Sequence, residues 1–336
     1  MSQSAPPNPK LPDDSLPPVE PPSARFILQL FLVPGLIVII IVMVWMMFSW
    51  LATKGQNPRE TIAKLKVPNA ARWQHAMELA NVIRGGNHSQ FKRDPRAAQE
   101  LAQILEDEVE TGSSDEKSVL LRVFLSRALG EFYVEEGLDE LLYTAQSDRS
   151  RDVRLAAIEA VAVRIENAGD SWRKMRLNDP GFISALLKLS EDSQPTVRSR
   201  AAMAMGAAGT APLIERLEEM ADDTYPDARY NAATALARHG NTAAMPVLVE
   251  MLDPTEMAGL TIEQDKSESA QEEKRILILV NAIRATRLLA ERNPQADLTP
   301  LVQATGELAE ADVQQQIRAM ARDAHLSLQN RPATAP

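Results

Sequence analysis

The sequence predicts an all-α chain, a solenoid of about seven helical hairpins preceded by one transmembrane helix. Three observations lead there. A block of small and apolar residues recurs at helical spacing, one long run carries no charge, and no alternating apolar/polar run reads as a strand. Composition agrees: of 336 residues 45% are apolar, 24% charged and only 4% aromatic. That bias suits Ala/Leu helices rather than sheets. The chain has no cysteine, which excludes disulfides, thiolate metal sites and a Cys nucleophile. A net charge of −10 is the wrong sign for a general nucleic-acid binder.

Residues 1–25 contain eight prolines and almost nothing that could enter a core. They read as a disordered tail. The run that starts at Phe26 and ends at Leu51 has only Gln29 and Ser49 as polar residues. As a helix it would reach about 39 Å, enough for a hydrocarbon core of about 30 Å with some tilt. Aromatics gather at both ends, as they do at membrane interfaces. The run is too long for a signal peptide's apolar region, and no A-x-A site follows it. A retained single-pass anchor is expected, with a kink at Pro34-Gly35. Lys54, Arg59, Lys64 and Lys66 follow the run, against Lys10 and Arg25 before it. That asymmetry puts the large C-terminal part on the cytoplasmic side. Residues 52–68 read as a short link with one helix from Pro58 to Lys66.

Residues 69–329 read as the array. An apolar or Ala residue followed by Arg introduces small and apolar residues at helical offsets. The block is clearest at Arg154, Arg198 and Arg229, looser at Arg122, and looser still at Arg72 and Arg318, with a degenerate unit near Arg275. These arginines recur about every 41 residues, a two-helix period. Partner helices are expected near 94–110, 138–147, 180–190, 210–221, 242–252 and 298–310. Prolines mark several starts and glycines several ends. Each hairpin would expose an apolar face that only the next can cover, so the units stack. Residues 69–134 could alternatively form a separate bundle, and 330–336 read as disordered.

Segments 192–209 (DSQPTVRSRAAMAMGAAG) and 223–252 (DTYPDARYNAATALARHGNTAAMPVLVEML) carry a D-x-x-P-x-V-R-x-x-A-A-x-A-L-G pattern, then a helix with P-x-L-x-x-L. This pattern resembles HEAT-like repeats of the phycobilisome-lyase type, strongly over 148–252 and weakly elsewhere. With the apolar run, the chain resembles bacterial membrane-anchored HEAT-repeat proteins. The resemblance implies an all-α superhelix that binds protein. It does not specify an activity, because one scaffold serves many roles.

Relatives of this type include metal-dependent hydroxylases with His-Glu dipeptides, but none of His75, His88, His239 and His325 is followed by Glu. His75 and Glu78 could share one ion, yet no second pair completes a site. A phycobilin-lyase role rests on the repeat alone. Gly85-Gly86, Gly206 and Gly209 follow no strand and read as helix ends. Ser113 and Ser114 have no nearby base, and the runs 106–108 and 218–219 read as solvated carboxylates. No catalytic, cofactor or metal residue is therefore expected. Arg122, Arg154, Arg198, Arg229 and Arg318 are expected to be structural, pairing with Asp148 or Asp152, Asp192, and Asp223 or Asp227 to stitch repeats and cap helices. The insertion 167–181 places Trp172 beside Arg173, Lys174 and Arg176, a candidate partner contact, with packing over a helix end as the alternative. An acidic loop is expected over 253–272. The functional expectation is a non-catalytic, membrane-tethered scaffold for a protein partner, itself membrane-associated. The alternative is an accessory subunit of a membrane enzyme or transporter complex.

Overall fold

The computed structural model describes residues 23–53, 57–85, 88–168, 170–256, 267–311 and 313–331. Most of the proline-rich tail, the centre of the acidic loop and the last five residues lie outside the described residues. The chain divides into two compact units, Met1–Gln56 and Asn57–Pro336.

In the first unit, α1 (Ala24–Thr53) runs through Pro34 as one helix. Its segment Leu28–Ser49 is 22 residues long with none of it buried, and it is long and apolar enough to cross a membrane.

The second unit is built from helical hairpins. The pairs are α2 (Pro58–Leu65) with α3 (Arg72–Arg84), α5 (Pro95–Thr111) with α6 (Glu116–Gly130), and α7 (Leu138–Ser147) with α8 (Arg151–Asn167). Next come α10 (Pro180–Ser190) with α11 (Pro195–Ala208) and α12 (Ala211–Met220) with α13 (Pro226–Arg238). The series ends with α14 (Met245–Leu252) and α15 (Glu268–Arg292), then α16 (Thr299–Glu310) and α17 (Gln315–Gln329). Two short helices, α4 (Ser89–Lys92) and α9 (Asp170–Leu177), interrupt the series. The described residues contain no strand.

The arginine-bearing helices α3, α6, α8, α11, α13, α15 and α17 pack side by side as one layer, each against the next. Small residues allow this. A Cβ on Gly130 would sit 2.8 Å from the Cα of Ala160, and one on Gly206 would sit 2.5 Å from the Cβ of Ala235. The first helix of each pair (α2, α5, α7, α10, α12, α14 and α16) covers the other side of that layer. One contiguous core runs from Ile62 to Leu328, so 69–134 is not a separate bundle.

Helix starts follow from local chemistry. Asn57, Asp94 and Asp179 accept backbone N–H groups at the starts of α2, α5 and α10, each followed by Pro in the first turn. Asp115 caps α6 by accepting from Lys117 and Ser118. Gly209 ends α11 at φ +67, which a β-carbon disfavours.

Two segments differ from the sequence reading. The link at 52–68 contains α2, which is half of the first hairpin because Ile62 and Leu65 are buried against α3. Within the expected acidic loop, residues from Glu268 onward belong to α15, where Ser267 caps the helix at Ala270 N.

Candidate functional site

The repeated arginines reach in two directions. Arg122 on α6 donates through Nε to Asp148 at 2.7 Å, in the turn before α8, and through Nη1 to the carbonyl of Ser113 in the turn before its own helix. Arg154 on α8 donates to Asp192 at 2.7 Å, before α11. Arg198 on α11 grips both oxygens of Asp223 at 2.8 Å, before α13, and the carbonyl of Asp192 behind it. Arg229 on α13 pairs with Glu250 on α14. Arg318, on the last helix, donates to the carbonyl of Val313 behind it. Asp148, Asp192 and Asp223 also accept the backbone N–H two residues on. Each carboxylate therefore organises its own turn and holds the preceding repeat. Burial alone would raise the Asp223 carboxyl. The Arg198 hydrogen bond, the Tyr225 N–H and the charges of Arg198 and Arg216 outweigh it and hold the group below its usual range.

A second arginine escapes the repeat pattern. Arg164 on α8 is fully buried, and its hydrogen bonds go to backbone carbonyls rather than to a carboxylate. It donates to the carbonyls of Leu129 at 2.8 Å and Val134 at 2.7 Å, and to that of Glu136, closing the exposed carbonyl end of α6. Burial lowers its pKa to about 10, against the opposite pull of Glu136, Glu140 and Glu135. The sequence does carry a signal for it, a charge in phase with the apolar stripe Ala157, Val161.

The same 131–137 loop receives the insertion. Trp172 on α9 donates its indole N–H to the carbonyl of Tyr133 at 2.7 Å. Arg173 reaches the carbonyl of Ala207 at the end of α11. Arg176 pairs with Asp139 and lies near Glu135 and Asp179. The side chain of Lys174 lies outside the described residues. The polar ends of Trp172, Arg173 and Arg176 are thus spent on the chain's own groups, and the indole covers a loop at a helix end.

The open feature lies across α8, α11, α13 and α15. A groove of about 490 Å³ there is floored by Ala162, Gly206, Ala235 and Ala285, with Val163, Met203 and Leu288 beside them. Polar residues line it as well: Glu159, Glu166, Asn231, Thr234, Arg238 and Arg284. Asn231, Thr234 and Asn281 also line a neighbouring hollow of about 300 Å³, which extends the groove towards Arg200 and Leu277. The face is hollowed at this groove. Arg238 on α13 reaches over α11 to Glu166 on α8 at 2.6 Å, an ion pair that skips one helix of the layer. Arg200 and Glu159 make a second ion pair at 2.9 Å, between neighbouring helices. The groove was not found by sequence, since its lining comes from four helices up to 129 positions apart.

Residues 175–258 match the family described as HEAT repeats. That span holds α10 to α14 and the Arg198–Asp223 and Arg229–Glu250 pairs. Over that span the chain is a HEAT-like repeat array. Among solved structures the chain is similar to an engineered protein at 17% identity and a TM-score of 0.37, covering 68% of this chain and 98% of that one. It is also similar to the X-ray structure of YibA of Escherichia coli at 19% identity and a TM-score of 0.36, covering 84% and 95%. No curated protein matches the chain.

Among the described residues of the HEAT-like array, no three His, Asp or Glu side chains gather as metal ligands would. His75 stands 3.9 Å from Glu78. His239 and His325 bond to the carbonyls of Gly206 and Val302. The arrangement the array offers is a wide, shallow, apolar-floored trough bordered by ion pairs, which is recognition geometry.

Proposed function

We propose that this HEAT-like protein is a non-catalytic docking scaffold, held to a membrane by α1, whose concave groove receives an amphipathic segment of a membrane-associated protein. The observation that carries the reading is the groove itself. Val163 and Met203 stay 37% and 40% exposed on adjacent helices, and the Glu166–Arg238 and Glu159–Arg200 pairs border them. An apolar floor with a charged rim suits a segment with one apolar stripe. The anchor restricts partners to those near the same membrane and raises their effective concentration. The charge asymmetry around α1 supports a cytoplasmic array.

A photocrosslinking residue at Thr234, inside the groove, tests this in cells against the same residue at Glu215 on the opposite layer. Adducts with a membrane protein are expected from position 234 and should disappear in Met203→Glu, whose melting temperature should match the parent. Adducts of equal yield from both positions, or adducts indifferent to Met203→Glu, would reject the groove. One dominant partner would mark an accessory subunit of a single complex, and several would mark a general scaffold.

A further inference from the structure

The chain's charge is sharply polarised. Residues 52–100 hold nine basic and four acidic residues, a net +5, whereas 101–336 hold 25 basic and 39 acidic, a net −14. In the structure, Arg59, Lys64, Lys66, Arg93 and Arg96 are all exposed. Hydrogen bonding between Arg59 and Asp94 ties the start of α2 to the start of α5, which brings Arg59, Arg93 and Arg96 to one end of the unit. That end is also where the chain enters: α2 begins at Pro58, five positions after the last residue of α1. A stretch of that length spans at most about 18 Å.

We infer that the first hairpin and the start of α5 form a docking surface for anionic lipid headgroups, and that it orients the HEAT-like array on the bilayer. The inference rests on α1 being a membrane span. Three arguments favour lipid as the occupant. The tether is too short to carry these cations far from the headgroups of the bilayer that α1 crosses. Their sign complements an anionic leaflet, where each Lys or Arg raises residence about fivefold. The strongly acidic remainder is repelled by the same leaflet, so the two fields act together to set the basic end down and the rest away. Glu100, the carboxylate partner of Lys66, does not block this, because that exposed pair is weak enough for phosphate to replace, while Arg59 stays on Asp94.

The full chain carries no cysteine, so a single dye can be placed at Ser89→Cys or, as a control, at Ser327→Cys on the last helix. Each protein is reconstituted into vesicles of phosphatidylcholine alone or with about a third phosphatidylglycerol, plus a headgroup-linked energy acceptor. Transfer from position 89 should rise several-fold with the anionic lipid. It should collapse at high salt and in Lys64→Glu/Lys66→Glu/Arg93→Glu/Arg96→Glu, and position 327 should not respond. Equal transfer in both vesicles, or a rise that tracks protein density in neutral vesicles and so reports a second copy, would overturn the inference. Flotation after alkaline extraction separates the two readings. A chain that fails to float has no span, and the inference falls with it; a chain that floats without lipid-dependent transfer keeps its anchor and loses the docking surface.

Discussion

Arg122 and Asp148 are each 1% exposed, whereas Arg198 and Asp223 keep 18% and 10% exposure. The same contact therefore has different consequences along the ladder. Truncating Asp148→Ala leaves a buried guanidinium without its counter-charge, a loss of about 3–5 kcal/mol. Arg198→Ala removes charge-assisted hydrogen bonds at a wetter site and should cost roughly 1.5–3 kcal/mol. Chemical denaturation of the two variants checks the order, and a larger loss for Arg198→Ala would contradict it. Acid should act on the same residues. Asp223, Asp115 and Asp297 are all held below the ordinary carboxylate range. Their stabilisation is complete above the unfolded-state value of about 3.9 and is lost as the pH falls through their folded values. The urea midpoint should drop on acidification below about pH 4, and less steeply in Asp223→Asn. Parallel curves for the two proteins would remove Asp223 from the account. The arginine positions were legible in the sequence, because they mark the repeat. Their direction was not: Arg122, Arg154 and Arg198 pair forward, with the turn that precedes the next arginine-bearing helix, and nothing local in the chain distinguishes forward from backward.

At the scale of elements, the array depends on how closely its arginine-bearing helices approach. Gly130 shows it. An added Cβ would meet backbone as well as side chain of Ala160 on the next helix, so Gly130→Ala must push α6 and α8 apart. Overpacking of this kind costs about 1–3 kcal/mol, even though Ala is the better helix former. Gly181→Ala is the matched comparison. Its added carbon would come no nearer than 3.2 Å, to the carboxyl of Asp179 and to no neighbouring helix, and a loss there as large as at Gly130 would show that crowding between helices is not the cause. Helix existence was readable from the period and from prolines and caps. The α2 helix was read at its Pro58 start, though its few apolar residues hid that it is half of the first hairpin. Two elements were less readable. The start of α15 is acidic and masked its helical phase. The insertion helix α9 has Trp172 as its visible signal, but only the fold shows that the indole closes onto the Tyr133 carbonyl.

For the whole molecule, two properties come from adding repeats rather than from any one of them. Side-by-side packing of α8, α11, α13 and α15 gathers Val163, Met203, Thr234 and Leu288 into a trough, though no two of those four share a helix. Charge accumulates unevenly, so that a chain of net −10 has a basic stretch immediately after its apolar run in the sequence. The trough supplies a place for a partner segment, and the charge gradient supplies an orientation. The crosslinking and energy-transfer experiments test these separately, because Met203→Glu leaves the basic end intact and the four charge reversals leave the trough intact.

The sequence alone determined what has short-range causes. The 3.6-residue period, the small-residue stripe, the capping residues and the uncharged run at 26–51 are set by neighbours within a few positions, and they named the all-α repeat array. Tertiary structure alone decided what depends on residues far apart in the chain. The carbonyl cage around Arg164, the forward reach of the Arg–Asp pairs and the Glu166–Arg238 bridge join residues 25 to 72 positions apart. Their partners are chosen by how successive hairpins pack. That packing is the sum of many close helix contacts, and no single segment of sequence encodes it.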